Sequence, residues 1–215
     1  MVKDIYIIGV GGFAKEVCLL INNINHQKLT YKIKGFIDVT PTISDCIVEG
    51  EKYAVIQESK HLKNNLLSDE CYAIGIGNPK ILEQISKKFS GRVFPNLVHP
   101  NVVKGESVKL GEGNIITAGC ILTVDITIGS FNILNLNTTI GHDTVIGNGN
   151  VLNPSVNVSG GCDIKNYNLL GTSSTILQYL NIGTGNIIGA SALVTKTIES
   201  NGLIVGIPAK KIKDL

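Results

Sequence analysis

One histidine stands apart in this 215-residue chain. His142 is the only histidine between residues 110 and 194, a stretch with just five charged residues in 85: Glu112, Asp125, Asp143, Asp163 and Lys165. Imidazole can take and return a proton near neutral pH, so a lone imidazole on a charge-poor wall is a candidate general base. A surface histidine beside a surface aspartate is the plain alternative. A second candidate is the loop Gly9-Val10-Gly11-Gly12-Phe13-Ala14. It fits G-x-G-x-x-G/A after a strand, with Asp38 closing the next strand, which read alone suggests a dinucleotide enzyme. The region before residue 100 is too short for a two-half dinucleotide fold plus a substrate domain. The third set is five scattered cysteines, Cys18, Cys46, Cys71, Cys120 and Cys162, with no C-x-x-C pair. They read as buried free thiols of a reducing compartment, and the expected location is cytoplasmic.

The elements that must carry His142 come from a repeat. Counting in sixes from Leu110 to Val194 meets an aliphatic residue at all fifteen positions, among them Ile140, Ile146, Val158 and Ile188. This period matches neither a helix nor a hairpin sheet. It predicts a three-sided solenoid, one short strand and one corner per hexad and 18 residues per coil, about five coils in all. The aliphatic residue points inward. Small residues four places on, such as Thr138, Thr144, Ser174 and Ala192, fill the prism, and Cys120 and Cys162 share that position. They are expected to pack and not to carry acyl groups. Glycine and the twelve asparagines of this stretch are assigned to the corners.

Residues 1–100 differ, with 12 Lys or Arg and 10 Asp or Glu. Strands are expected at Ile5–Ile8, 32–37, 54–56 and 72–76, with helices after Gly12 and over 79–89. This β-α-β order predicts a small Rossmann-like parallel sheet. The domains are therefore 1–97 and 98–215, with the seam near Pro100. Nineteen basic and 17 acidic residues leave a net charge of +2, which excludes a strongly basic nucleic-acid binder. No leader-like or membrane-spanning apolar run is expected.

Three segments carry a resemblance: the Gly9–Ala14 loop, Ile140-Gly141-His142-Asp143-Thr144-Val145-Ile146-Gly147, and Val205-Gly206-Ile207-Pro208-Ala209-Lys210. With the hexads, they resemble the hexapeptide-repeat, left-handed β-helix sugar acetyltransferases of the sialic acid O-acetyltransferase and bacillosamine N-acetyltransferase type. The resemblance implies direct transfer from acetyl-CoA, with His142 as base and Asp143 orienting it, and no metal. It implies that Gly160 N–H meets the thioester carbonyl, and that Gly171, Gly189, Ala190, Ile207, Pro208 and Lys210 (or Lys211) border acetyl-CoA. Gly9, Gly11, Gly12, Phe13, Asp38, Gly77, Asn78 and Asn135 would face the sugar or its nucleotide. It implies a homotrimer making a bacterial surface glycan, with a nucleotide-linked amino sugar favoured and sialic acid O-acetylation the rival. Phe13 and Val151 stand where amino-sugar enzymes carry histidines. Two other readings stay open: a non-catalytic solenoid that would not need His142, and an NAD enzyme. A carbonic anhydrase of this fold would need three histidine ligands.

Overall fold

The computed structural model describes residues 2–64 and 70–215. β1 (Lys3–Ile8) enters the Gly9 loop and α1 (Gly12–Gln27) leaves it. Val17, Leu20 and Ile21 recur at helical spacing and are buried. β2 (Tyr31–Asp38), β3 (Asp45–Val48), β4 (Glu51–Gln57), α2 (Glu58–Asn64), β5 (Cys71–Ile74) and α3 (Pro79–Lys88) follow. The sheet order is β3-β4-β2-β1-β5. β1 pairs in parallel with β2 and β5, as expected for a chain that alternates strand and helix. One edge departs from the sequence reading, because β3 and β4 form an antiparallel hairpin. Its tight turn places Glu49 (φ 50°) and Gly50 (φ 86°) in the left-handed region that two-residue hairpins need. The strands' carboxyl ends gather at Gly9, Asp38 and Gly75, where open α/β sheets bind ligands.

The second region is a β-solenoid. Seventeen two-residue strands run from β6 (Leu97–Val98) to β22 (Leu193–Val194). Each pairs in parallel with the strand 18 residues away, as in Leu134 with Leu152 and Ile140 with Val158. Fourteen of the fifteen hexad aliphatics, Ile116 through Val194, are buried, and Leu110 packs at the margin of the same core. β23 (Gly202–Val205) extends one face, and β24 (Lys210–Asp214) turns back antiparallel on it.

The corner assignment holds for some glycines and needs correction for others. Left-handed residues lie three places after the inward aliphatics: Gly113, Gly119, Gly149, Gly161 and Gly185 stand there with φ of 64–75°, and Asp125, Phe131, Asn137, Asp143, Ser155, Tyr167, Ser173, Tyr179 and Ser191 have φ of 56–60°. The glycines just after the aliphatic serve close stacking instead. A Cβ on Gly141 would lie 2.5 Å from Gly160 N of the next coil. Most asparagines are also not at left-handed corners. Asn114, Asn132, Asn150, Asn168 and Asn186 stand inside, at the position expected for small fillers, and are essentially solvent-free. Their amides form a ladder up the coils: Asn150 Oδ1 accepts from Asn168 N–H at 2.9 Å, and Asn150 Nδ2 donates to Asn132 Oδ1 at 3.1 Å. A buried amide is tolerated because both ends are bonded.

The first domain covers one solenoid face. Outward-pointing Ile115, Ile133 and Val151 join its core, and Phe94 meets Phe131 edge to face at 5.1 Å. The Asn23 amide on α1 lies 3.2 Å from His99 Nε2 at the start of the solenoid.

Candidate active site

His142 occupies the corner between β13 (Thr139–Ile140) and β14 (Val145–Ile146). Ile140, Thr144 and Ile146 anchor the segment inside the prism, so the imidazole must point out. Asp143 takes the left-handed corner conformation (φ 57°), which aspartate tolerates better than most residues. That bend brings its Oδ2 to 2.8 Å from His142 Nδ1. A carboxylate only accepts, so Nδ1 carries the hydrogen and donates it. Nε2 is left with its lone pair. It lies over Gly160, where an added Cβ would fall 2.5 Å from Nε2. The two residues are also tied through the backbone, Gly161 N–H donating to His142 O at 2.7 Å. Among the described residues nothing accepts the Gly160 N–H. The corner thus presents a base nitrogen and a free peptide donor side by side. The His142 side chain is 53% exposed in the single chain, so none of the described residues closes over it.

The remaining positions fall elsewhere. Gly171, Gly189 and Ala190 stack on a different prism edge, with a Cβ on Gly171 meeting Ala190 N at 2.5 Å. The C-terminal tail lies against the same end: Val205 abuts Gly189, and Ala209 N–H donates to Leu193 O at 2.7 Å. Ile207, Pro208 and Lys210 are exposed there. Asn135 belongs to that edge too, and its Oδ1 accepts from Leu136 N–H at 2.8 Å. One chain therefore does not bring Asn135, Gly171, Gly189 or Ala190 to His142. Val151 stands where amino-sugar enzymes carry a histidine. It is 2% exposed and locked into the contact between the domains.

In the first domain, Gly9 has φ 105° and its neighbour Ile76 leaves no room for a side chain. Gly11 and Gly12 face open space, and α1 starts at them with no side-chain cap and no acidic residue in its first turn. Such a helix start offers unpaired N–H groups to an anion. Gly75, which the sequence reading passed over, lets Ala14 of α1 approach closely, a Cβ there lying 2.6 Å from Ala14 Cα. Asp38 uses one oxygen on Thr40 N–H at 2.9 Å, and with Gly9 it lines a cleft of about 340 Å³. Phe13 packs partly against the domain core, Gly77 faces open space, and Asn78 caps α3 by accepting from Lys80 N–H at 3.0 Å.

The thiols are packed away. Burial pushes the Cys120 thiol up to about 11 and raises Cys162 as well, the reverse of what an acyl carrier needs. Among the described residues no cluster of His, Cys, Asp or Glu could hold a metal ion.

Residues 4–89 match the PglD N-terminal domain family. No curated protein sequence matches the chain. Solved structures match along its whole length. PerB from Caulobacter crescentus, in complex with CoA and GDP-perosamine, is 26% identical over 99% of each chain, with a TM-score of 0.86. The acetyltransferase domain of PglB from Neisseria gonorrhoeae is 25% identical over 98% of this chain and 100% of that one, at 0.86. WeeI from Acinetobacter baumannii is 27% identical over 98% and 100%, at 0.85. Fold and corner geometry together define an acyltransferase of the left-handed β-helix class. Within that class the chain has the two-domain plan of the sugar acetyltransferases, with a PglD-type first domain.

Proposed function

We propose that the protein transfers the acetyl group of acetyl-CoA to the amino group of a nucleotide-linked amino sugar, for a bacterial surface glycan. The observation that carries this is the His142 corner: Nδ1 held by Asp143, Nε2 free, and the unpaired Gly160 N–H beside it. The amine lone pair attacks the thioester carbonyl carbon while Nε2 takes the departing N–H proton. The carbonyl oxygen becomes an oxyanion and accepts from Gly160 N–H, a contact typically worth about 3 kcal/mol in such sites. The carbon–sulfur bond then breaks. The imidazolium returns its proton to the thiolate, giving free CoA and the amide. Asp143 steadies the ring and its charge through Nδ1. No covalent enzyme intermediate is needed.

The structural neighbours support this reading. Perosamine N-acetyltransferase holds CoA with GDP-perosamine in two variants that each replace one histidine. The separation of His142 from the Gly171–Gly189 edge supports a cyclic trimer in which neighbouring prisms share each site. Acetyl-CoA would run along that seam, past Ala190, Ile207 and Pro208 to Lys210 at its phosphates. The sugar would reach in from the Gly9–Phe13 loop, with Asp38, Gly77, Asn78 and Asn135 along its path.

The test is a panel of GDP-, UDP- and dTDP-linked 4-amino sugars, with free and CMP-linked sialic acid, read by product mass and hydroxylamine sensitivity. An amide product with an amino sugar is expected. A hydroxylamine-labile ester on sialic acid would replace this reading with O-acetylation.

A further inference from the structure

We infer that the Asp38 cleft selects guanine as the base of the nucleotide, through Glu58 and Lys88. This rests on the proposed use of a nucleotide-linked sugar. The cleft lies where β1 and β2 end, between Gly9 and one face of α3. Ile81, Gln84, Ile85 and Lys88 make up that face, recurring at helical spacing. Aliphatic walls and a volume of about 340 Å³ suit a flat ring with its ribose. Asp38, at the end of the second strand, stands where an acidic residue in such folds holds ribose hydroxyls. The base then lies deeper, toward Glu58.

Glu58 is the unusual residue. It opens α2, is 4% exposed and still borders the cleft. Lys88 Nζ is paired with its Oε1. No partner is seen for its Oε2 among the described residues. That oxygen is not sealed from solvent, so at the cleft it can exchange water for a donor on a ligand. The pair presents one donor, the ammonium, next to a two-oxygen acceptor. Guanine presents the complement along one edge: O6 accepts, while N1–H and the 2-amino group donate. Uracil and thymine have one donor, N3–H, between two carbonyls, so a carboxylate oxygen would face a carbonyl. Cytosine turns its N3 lone pair toward the carboxylate. Guanine alone of these bases satisfies both glutamate oxygens and the lysine.

Calorimetry on the full chain with GDP, UDP, dTDP and CMP tests this. GDP should bind at least about tenfold more tightly than the others, the usual worth of one bidentate base contact. Glu58→Gln should remove that preference and leave UDP binding within about twofold. Lys88→Gln should also weaken GDP selectively, and far-UV circular dichroism and a melting temperature close to wild type in both variants guard against a folding defect. Equal affinities, preference for a pyrimidine nucleotide, or an unchanged ratio in Glu58→Gln would overturn the inference. GDP preference without acetyl transfer to any amino sugar would strike the proposed reaction and leave the base assignment standing.

Discussion

At the scale of residues, the role proposed for His142 depends on neighbours that leave it one arrangement. Asp143 holds Nδ1, and the bare Cα of Gly160 leaves the space that Nε2 looks across. Gly160→Ala should therefore displace the imidazole and cover the free N–H together. Expected is a fall in kcat of about 100-fold, with a melting temperature within a few degrees of wild type, checked by steady-state thiol release and calorimetry. His142 itself was legible in the sequence, since a lone imidazole on a charge-poor repeat has few bland explanations. Its pairing with Asp143 was legible by adjacency. The Gly160 contact was legible only through resemblance. The burial of Val151 was not legible, because an outward position on a solenoid is open or sealed according to what packs on that face. No count along the repeat reveals the domain lying over it.

At the scale of elements, the hexad rule foretold the strands but not their chemistry. An aliphatic every six residues is a burial signal and survives in any context. Glycine and asparagine are ambiguous, since each serves at turns, at close contacts and, for asparagine, in internal ladders. The ladder had its own signal, asparagine every 18 residues from Asn114 to Asn186, one coil apart. Asn150→Ala would strand the Asn168 N–H and the Asn168 Nδ2 inside the prism, because both donate to Asn150 Oδ1. The expected cost is about 3 kcal/mol of unfolding free energy, read from denaturant midpoints. Asn157→Ala, at an exposed position, should change little. The β3–β4 hairpin was missed for a different reason: its turn, Glu49-Gly50, is a weak form of the usual Asn-Gly signal.

At the scale of the molecule, the first domain seals one solenoid face, and two edges of the prism carry different halves of the candidate site. This division gives the proposed trimer a direct test. Co-expressed His142→Ala and Gly189→Trp chains, each inactive alone, should regain about a quarter of wild-type activity, because random mixing pairs an intact edge with an intact edge at that frequency. No recovery would place both edges' functions within one chain or deny Gly189 a role. The central claim is that the His142 imidazole moves the proton in acetyl transfer. The most direct measurement is thiol release from acetyl-CoA with the best amino-sugar acceptor, comparing wild type with His142→Ala at matched acetyl-CoA binding. A loss of about 100-fold or more in kcat with unchanged acetyl-CoA affinity is the expected result. Turnover within a few-fold of wild type would contradict it.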